Sequence, residues 1–125
     1  MSIICIFISV LSTAICQPSG VKSIDADKLI ELQSEGVVLI DIRTPEEYTS
    51  GHIPSVAYNI DFLNDDFLKN MEEAVDKNQP IVIHCESGGR SKRAAFALEK
   101  AGYTRVYDYR GGFADWGARG EAIEK

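Results

Sequence analysis

Cys85 stands in the stretch HCESGGRS, directly after the apolar run IVI and before a segment with helical character. A thiol attacks as the thiolate, and a thiolate needs donors or a positive field to hold its charge. Four residues separate Cys85 from Arg90, and two of them are Gly88 and Gly89. Glycines allow a sharp turn, and a loop that turns into a helix points successive N–H groups inward as an anion nest, reinforced by the helix dipole. Arg90 adds a planar cation able to grip an oxyanion through two hydrogen bonds. Taken alone, a cysteine at a strand end is a small buried hydrophobe and a Gly-Gly pair is a plain turn. The run of strand, Cys, glycines, Arg, Ser and helix favours the reactive thiol.

The elements around this stretch suit that role. The apolar runs VVLID (residues 37–41) and IVIH (81–84), with short candidates AYNI and VYDY, read as strands of a buried parallel sheet. Between them lie helical patterns. SIDADKLIELQSEG places Leu29, Ile30 and Leu32 on one face, with Ser23 and Asp25 as candidate caps and Gly36 as the stop. A helical turn is expected at Pro45–Tyr48. DDFLKNMEEAVDK turns Phe67, Leu68, Met71 and Val75 inward, and a further helix runs from about Ser91 to Gly102. Strands alternating with helices predict an α/β fold, a central parallel sheet with helices on both faces. In such sheets ligands bind beyond the carboxyl ends of the strands, which is where Cys85 falls.

Composition sets the outer bounds. A chain of 125 residues, 45% hydrophobic and 26% charged, fits one globular domain. A net charge of −6 argues against nucleic acid as a partner, because such binders need a basic face. No charged side chain occurs before Lys22, and Ile3–Leu11 has the length of a signal-peptide hydrophobic region followed by the small residues Ser12, Thr13 and Ala14. The expected organisation is an export segment over residues 1–17 and a domain over 22–125, which implies a periplasmic or secreted protein. Lipid attachment at Cys16 is disfavoured by Ile15, which stands where a small residue is usual. With Cys5 and Cys16 in the leader, Cys85 is the lone thiol of the mature domain and no internal disulfide is expected. His52 and His84 are the only histidines and the loop has no second cysteine, so no metal is expected. His52 is read as a partner of a backbone group. Trp116 and Phe113 are expected to anchor the C-terminal segment after a tight connection at Gly111 and Gly112.

Three segments carry a family resemblance. HCESGGRS resembles the active-site loop of rhodanese-like domains, DIRTPEEYTSGHIPSVAYNI is similar to that family's first signature, and YRGGFADW resembles its closing one. They occur in the family's order and cover the chain from Ser23 to Gly120. The resemblance implies a single rhodanese-like domain acting as a sulfurtransferase without a cofactor. In that scheme Cys85 takes sulfane sulfur from a small anionic donor such as thiosulfate, or from a persulfide or polysulfide, and passes it from a cysteine persulfide to cyanide or a thiol. The N–H groups of Glu86, Ser87, Gly88, Gly89, Arg90 and Ser91 form the cradle, and Arg90 steadies the loop or the departing anion. Asp41 and Arg43 are read as a bracing ion pair beside the site. Glu86 either repels a dianionic donor or turns outward to Lys92 or Arg93.

Two other functions fit parts of the same reading. One is a persulfide carrier or protein-binding module with little thiosulfate turnover, its acceptor an envelope protein. The other is a phosphatase of the same fold, disfavoured because the phosphatase loop is one residue longer, as a phosphate group requires.

Overall fold

The computed structural model describes residues 20–125. The hydrophobic opening, with Cys5 and Cys16, lies outside the described residues. Five strands, β1 (Val21–Ile24), β2 (Val38–Asp41), β3 (Tyr58–Asn59), β4 (Ile81–His84) and β5 (Val106–Tyr109), form one sheet in the order β1-β5-β4-β2-β3. Every neighbouring pair is parallel. Parallel neighbours need crossovers. Helices α1 (Ala26–Ser34), α3 (Phe67–Ala74) and α4 (Gly89–Lys100) and, between β2 and β3, the short α2 (Pro45–Ser50) supply them, and the short α5 (Gly112–Ala118) follows β5.

β4 is the middle strand and is buried along its whole length. Side chains alternate across a strand, so it feeds two cores. Ile81, Ile83 and Cys85 join Phe67 and Met71 of α3 and Ala94, Ala95 and Leu98 of α4. Val82 joins Leu29 and Leu32 of α1 and Trp116 of α5 on the opposite face. The continuous apolar run that marks β4 in the sequence therefore reflects a strand covered on both sides.

Local chemistry fixes the helix starts nearest the site. Asp25 caps α1 by accepting from the Lys28 N–H at 2.9 Å. α2 opens with a full capping box: Thr44 accepts from the Glu47 N–H while Glu47 accepts from the Thr44 N–H, and Pro45 occupies the first turn.

Several expectations need correction. Ser23 belongs to β1, paired with Asp108, and leaves the capping to Asp25. Ile30 and Leu68 are 41% and 40% exposed. Each follows a buried residue, Leu29 or Phe67, and one step along a helix turns the side chain about 100° away from the core. α4 begins at Gly89, ahead of Ser91, and the Gly-Gly connection before Trp116 leads straight into α5.

The two sides of α4 give a stability test. Leu98 is fully buried, so Leu98→Ala is expected to cost about 2–5 kcal/mol in urea unfolding. Phe96→Ala, on the same helix but 62% exposed, is expected to stay within about 0.5 kcal/mol.

Candidate active site

The carboxyl ends of β2, β4 and β5 meet in register, with Asp41 beside His84 and Ile83 beside Asp108. Cys85 is the first residue beyond β4, and after Gly88 the chain is already helical. This short path wraps the backbone around the sulfur. Cys85 Sγ accepts the N–H groups of Gly88 at 3.1 Å and Ser91 at 3.3 Å. Burial pushes the thiol pKa up, but donation by the Ser91 N–H and hydroxyl and by the Gly88 and Ser87 N–H groups outweighs it and leaves the thiol below its ordinary value. Gly88 makes the turn with φ 100°, and a Cβ there would sit 2.6 Å from the Arg110 carbonyl oxygen. Gly89, expected to share that duty, has helical backbone and open space around it.

The floor of the loop is held from behind. The Cys85 carbonyl accepts from the Phe113 N–H at 2.9 Å and the Glu86 carbonyl from the Ala114 N–H at 2.9 Å, both in the first turn of α5. Those donors lack partners within their own helix, and the loop carbonyls satisfy them. Gly112 lets the two segments approach: its φ is 69°, and a Cβ would fall 2.6 Å from both carbonyl oxygens. His84 Nδ1 lies 2.8 Å from the Cys85 carbonyl and must carry the proton to bond it. Full burial pushes the His84 pKa down against the opposing pull of Asp41. His84 Nε2 lies 3.6 Å from Asp41 Oδ2.

Arg43 and Arg90 flank this floor. Asp41 and Arg43 form the expected buried ion pair, with Arg43 Nη2 2.8 Å from Asp41 Oδ2. The same guanidinium donates to the Gly51 carbonyl at 2.7 Å and lies 4.2 Å from the centre of the Phe113 ring. Its Nη1 reaches Glu86 Oε1 at 3.3 Å. Glu86 therefore turns toward the strand ends and pairs with neither Lys92 nor Arg93, because Arg43 presents a desolvated cation directly under the loop. Arg90 gives both prongs to Glu47, at 2.8 and 2.9 Å. Hydrogen bonding from Arg90 holds the Glu47 carboxyl down at about 2. Glu47 was not identified in the sequence as a site residue. Its one local signal was the helix-start pattern TPEE, which says nothing of an arginine 43 positions on.

The remaining residues serve the frame. His52 Nδ1 meets the Tyr48 carbonyl at 3.0 Å, the backbone partner expected for it. Tyr109 is buried and donates its hydroxyl to Asp115 at 2.6 Å, while Arg110 pairs with Asp108 at 2.9 Å with its stem against Gly88.

Alkylation by iodoacetamide tests the depressed thiol. Its rate against pH is expected to reach half-maximum below the ordinary cysteine value of about 8.5, returning there on unfolding. This ionisation stabilises the fold fully above the unfolded pKa and progressively less as pH falls through the folded one. Gly112→Ala tests the floor. It is expected to cost at least about 1 kcal/mol in thermal unfolding and to move the alkylation midpoint upward as the loop is pushed off α5.

Comparison with known proteins agrees with this geometry. The family described as "Rhodanese-like domain" matches residues 25–119. A sulfurtransferase of Allochromatium vinosum is 35% identical over 105 residues, covering 82% of this chain and 94% of its own. The thiosulfate sulfurtransferase GlpE of Pseudomonas entomophila is 34% identical over 98 residues, covering 78% and 86%. The chain spans about half, 51%, of the radish senescence-associated protein DIN1, to which it is 38% identical over 95 residues. Among solved structures, SSP1007 of Staphylococcus saprophyticus superposes with a TM-score of 0.69 at 27% identity, covering 83% of this chain and 99% of that one. The human single-domain sulfurtransferase TSTD1, at 21% identity and a TM-score of 0.64, shares the fold over 78% of this chain and 96% of its own. The chain belongs to the rhodanese-like domain family.

Proposed function

We propose that the protein is a sulfurtransferase in which Cys85 carries sulfane sulfur as a persulfide between a donor and a nucleophilic acceptor. The observation behind this reading is the buried sulfur of Cys85, held by the Gly88 and Ser91 N–H groups at the carboxyl end of the central strand. Backbone dipoles aimed at such a sulfur favour its thiolate form, the nucleophile this chemistry needs. The relatives matched over most of their own length carry sulfurtransferase names, which supports the same activity class here.

With thiosulfate as donor the steps balance simply. The Cys85 thiolate attacks the sulfane sulfur, the S–S bond of the donor breaks, and sulfite leaves with the bonding pair, giving Cys–S–S⁻. Cyanide or a thiolate then attacks the outer sulfur, and the Cys85 thiolate departs to regenerate the site. The outer sulfur needs donors of its own. In this scheme the N–H groups of Gly89 and Arg90, in the first turn of α4 and without an acceptor in the helix, serve it. Arg90 acts as a positioning residue in this scheme, since both its prongs are held by Glu47.

Cys85→Ser is the direct test. Serine keeps the shape but its hydroxyl stays protonated at neutral pH. Wild type treated with thiosulfate is expected to gain the mass of one sulfur on the peptide containing Cys85 and to form thiocyanate from cyanide. The variant is expected to do neither while melting close to wild type. Thiocyanate formation by Cys85→Ser near the wild-type rate would overturn the reading.

A further inference from the structure

Resting on the sulfur-transfer reading above, we infer that Glu86 determines donor choice by charge, disfavouring dianions such as thiosulfate relative to donors of lower charge. The ground for this is how every charge around the loop is paired. Arg43 faces two carboxylates, Asp41 at 2.8 Å and Glu86 at 3.3 Å. Arg90 is gripped by Glu47 at 2.8 and 2.9 Å. Arg110, with its stem against Gly88, is paired with Asp108 at 2.9 Å. His84 is fully buried beneath the loop, away from the rim, and burial pushes its pKa down. Each arginine at the loop thus has a carboxylate of its own, and Arg43 has one more. The surplus negative charge rests on Glu86, whose side chain is 44% exposed one residue from the nucleophile.

The loop N–H groups attract any anion at the sulfur. The second charge of a dianion is what Glu86 separates. When the sulfane sulfur of thiosulfate faces Cys85, its sulfonate is left at the rim beside the Glu86 carboxylate, which shares Arg43 with Asp41. Lys92 and Arg93 lie on the exposed side of α4, with the Arg93 guanidinium 5.3 Å from the Phe62 ring centre. Both are exposed, whereas the neighbouring Ser91, whose N–H holds the sulfur, is buried.

A donor pair of nearly equal shape isolates the effect. Thiosulfate and methanethiosulfonate differ by one anionic oxygen replaced with a methyl group. Each yields Cys–S–S⁻ when the thiolate takes its sulfane sulfur, with sulfite leaving from the first and methanesulfinate from the second. The quantity read is the second-order rate of Cys85 persulfide formation, followed by mass, for each donor and each variant. Taking wild type against Glu86→Gln cancels the donors' different intrinsic reactivity, and the amide oxygen of Gln can still accept from Arg43.

At low salt, Glu86→Gln is expected to raise the thiosulfate rate about fivefold and the methanethiosulfonate rate about twofold, with the difference closing near 1 M salt. Glu86→Asp keeps the charge while shortening the reach to Arg43, and should hold the donor ratio of wild type. Equal factors for both donors, or no change for either, would overturn the inference while leaving sulfur transfer standing. So would a ratio that shifts as far in Glu86→Asp as in Glu86→Gln, since that would trace the effect to the Arg43 contact. Failure of wild type to take sulfur from either donor would overturn both this inference and the reading beneath it.

Discussion

A thiol buried at the end of a strand, its pKa held below the ordinary value, is the constraint to which the surrounding structure answers. Removed from water, it must find its donors in the backbone, and the backbone can supply them only by turning around it within a few residues. The left-handed turn at Gly88 and the helix that starts at Gly89 are the geometric result. The carbonyls of such a loop must point the other way, and this creates the second demand. Those of Cys85 and Glu86 are taken up by α5 and by His84, so the dipoles that would repel the sulfur are directed behind it. The closing glycine segment therefore serves the opening loop, although 25 residues, with α4 and β5 among them, separate Cys85 from the Gly111–Gly112 pair.

The ion pairs form a different layer of support. Arg43 joins the end of β2 to the last turn of α2, the rim of the loop and the Phe113 ring. Buried pairs seldom add net stability because both partners lose their hydration. Their value lies in geometry: a guanidinium with fixed donors admits one arrangement of the segments it joins. Glu47 works similarly from the other side, sharing its carboxylate between the start of α2 and Arg90 of α4. Two helix starts are thereby held in a fixed relation to the thiol.

The sequence shows the parts of this arrangement that depend on local order. The β4 run, the cysteine after it and the glycine turn are contiguous, so strand, loop and helix could be read together. The Asp41–Arg43 pair is two residues long and was equally visible. Partners distant in the chain were hidden. Glu47 to Arg90 and Arg43 to Glu86 each span 43 positions and depend on how β2 and β4 are set side by side. β1 escaped notice because VKSI has two exposed polar residues at its centre and is drawn into the sheet by pairing with β5. α5 was hidden by its glycines, which are poor helix formers but are required where the segment crosses the loop carbonyls.

The loop's residues divide sharply by what lies behind them. Gly88 and Ser91 are buried, and Gly112 closes against the carbonyls, so the floor has no slack. Glu86 is partly exposed, Ser87 and Gly89 are fully so, and a side chain at Gly89 would enter open space. The positions that hold the thiol and those that face outward thus form separate sets on one short segment. A loop arranged this way can exchange its rim one residue at a time, while the groups that donate to the sulfur stay in place.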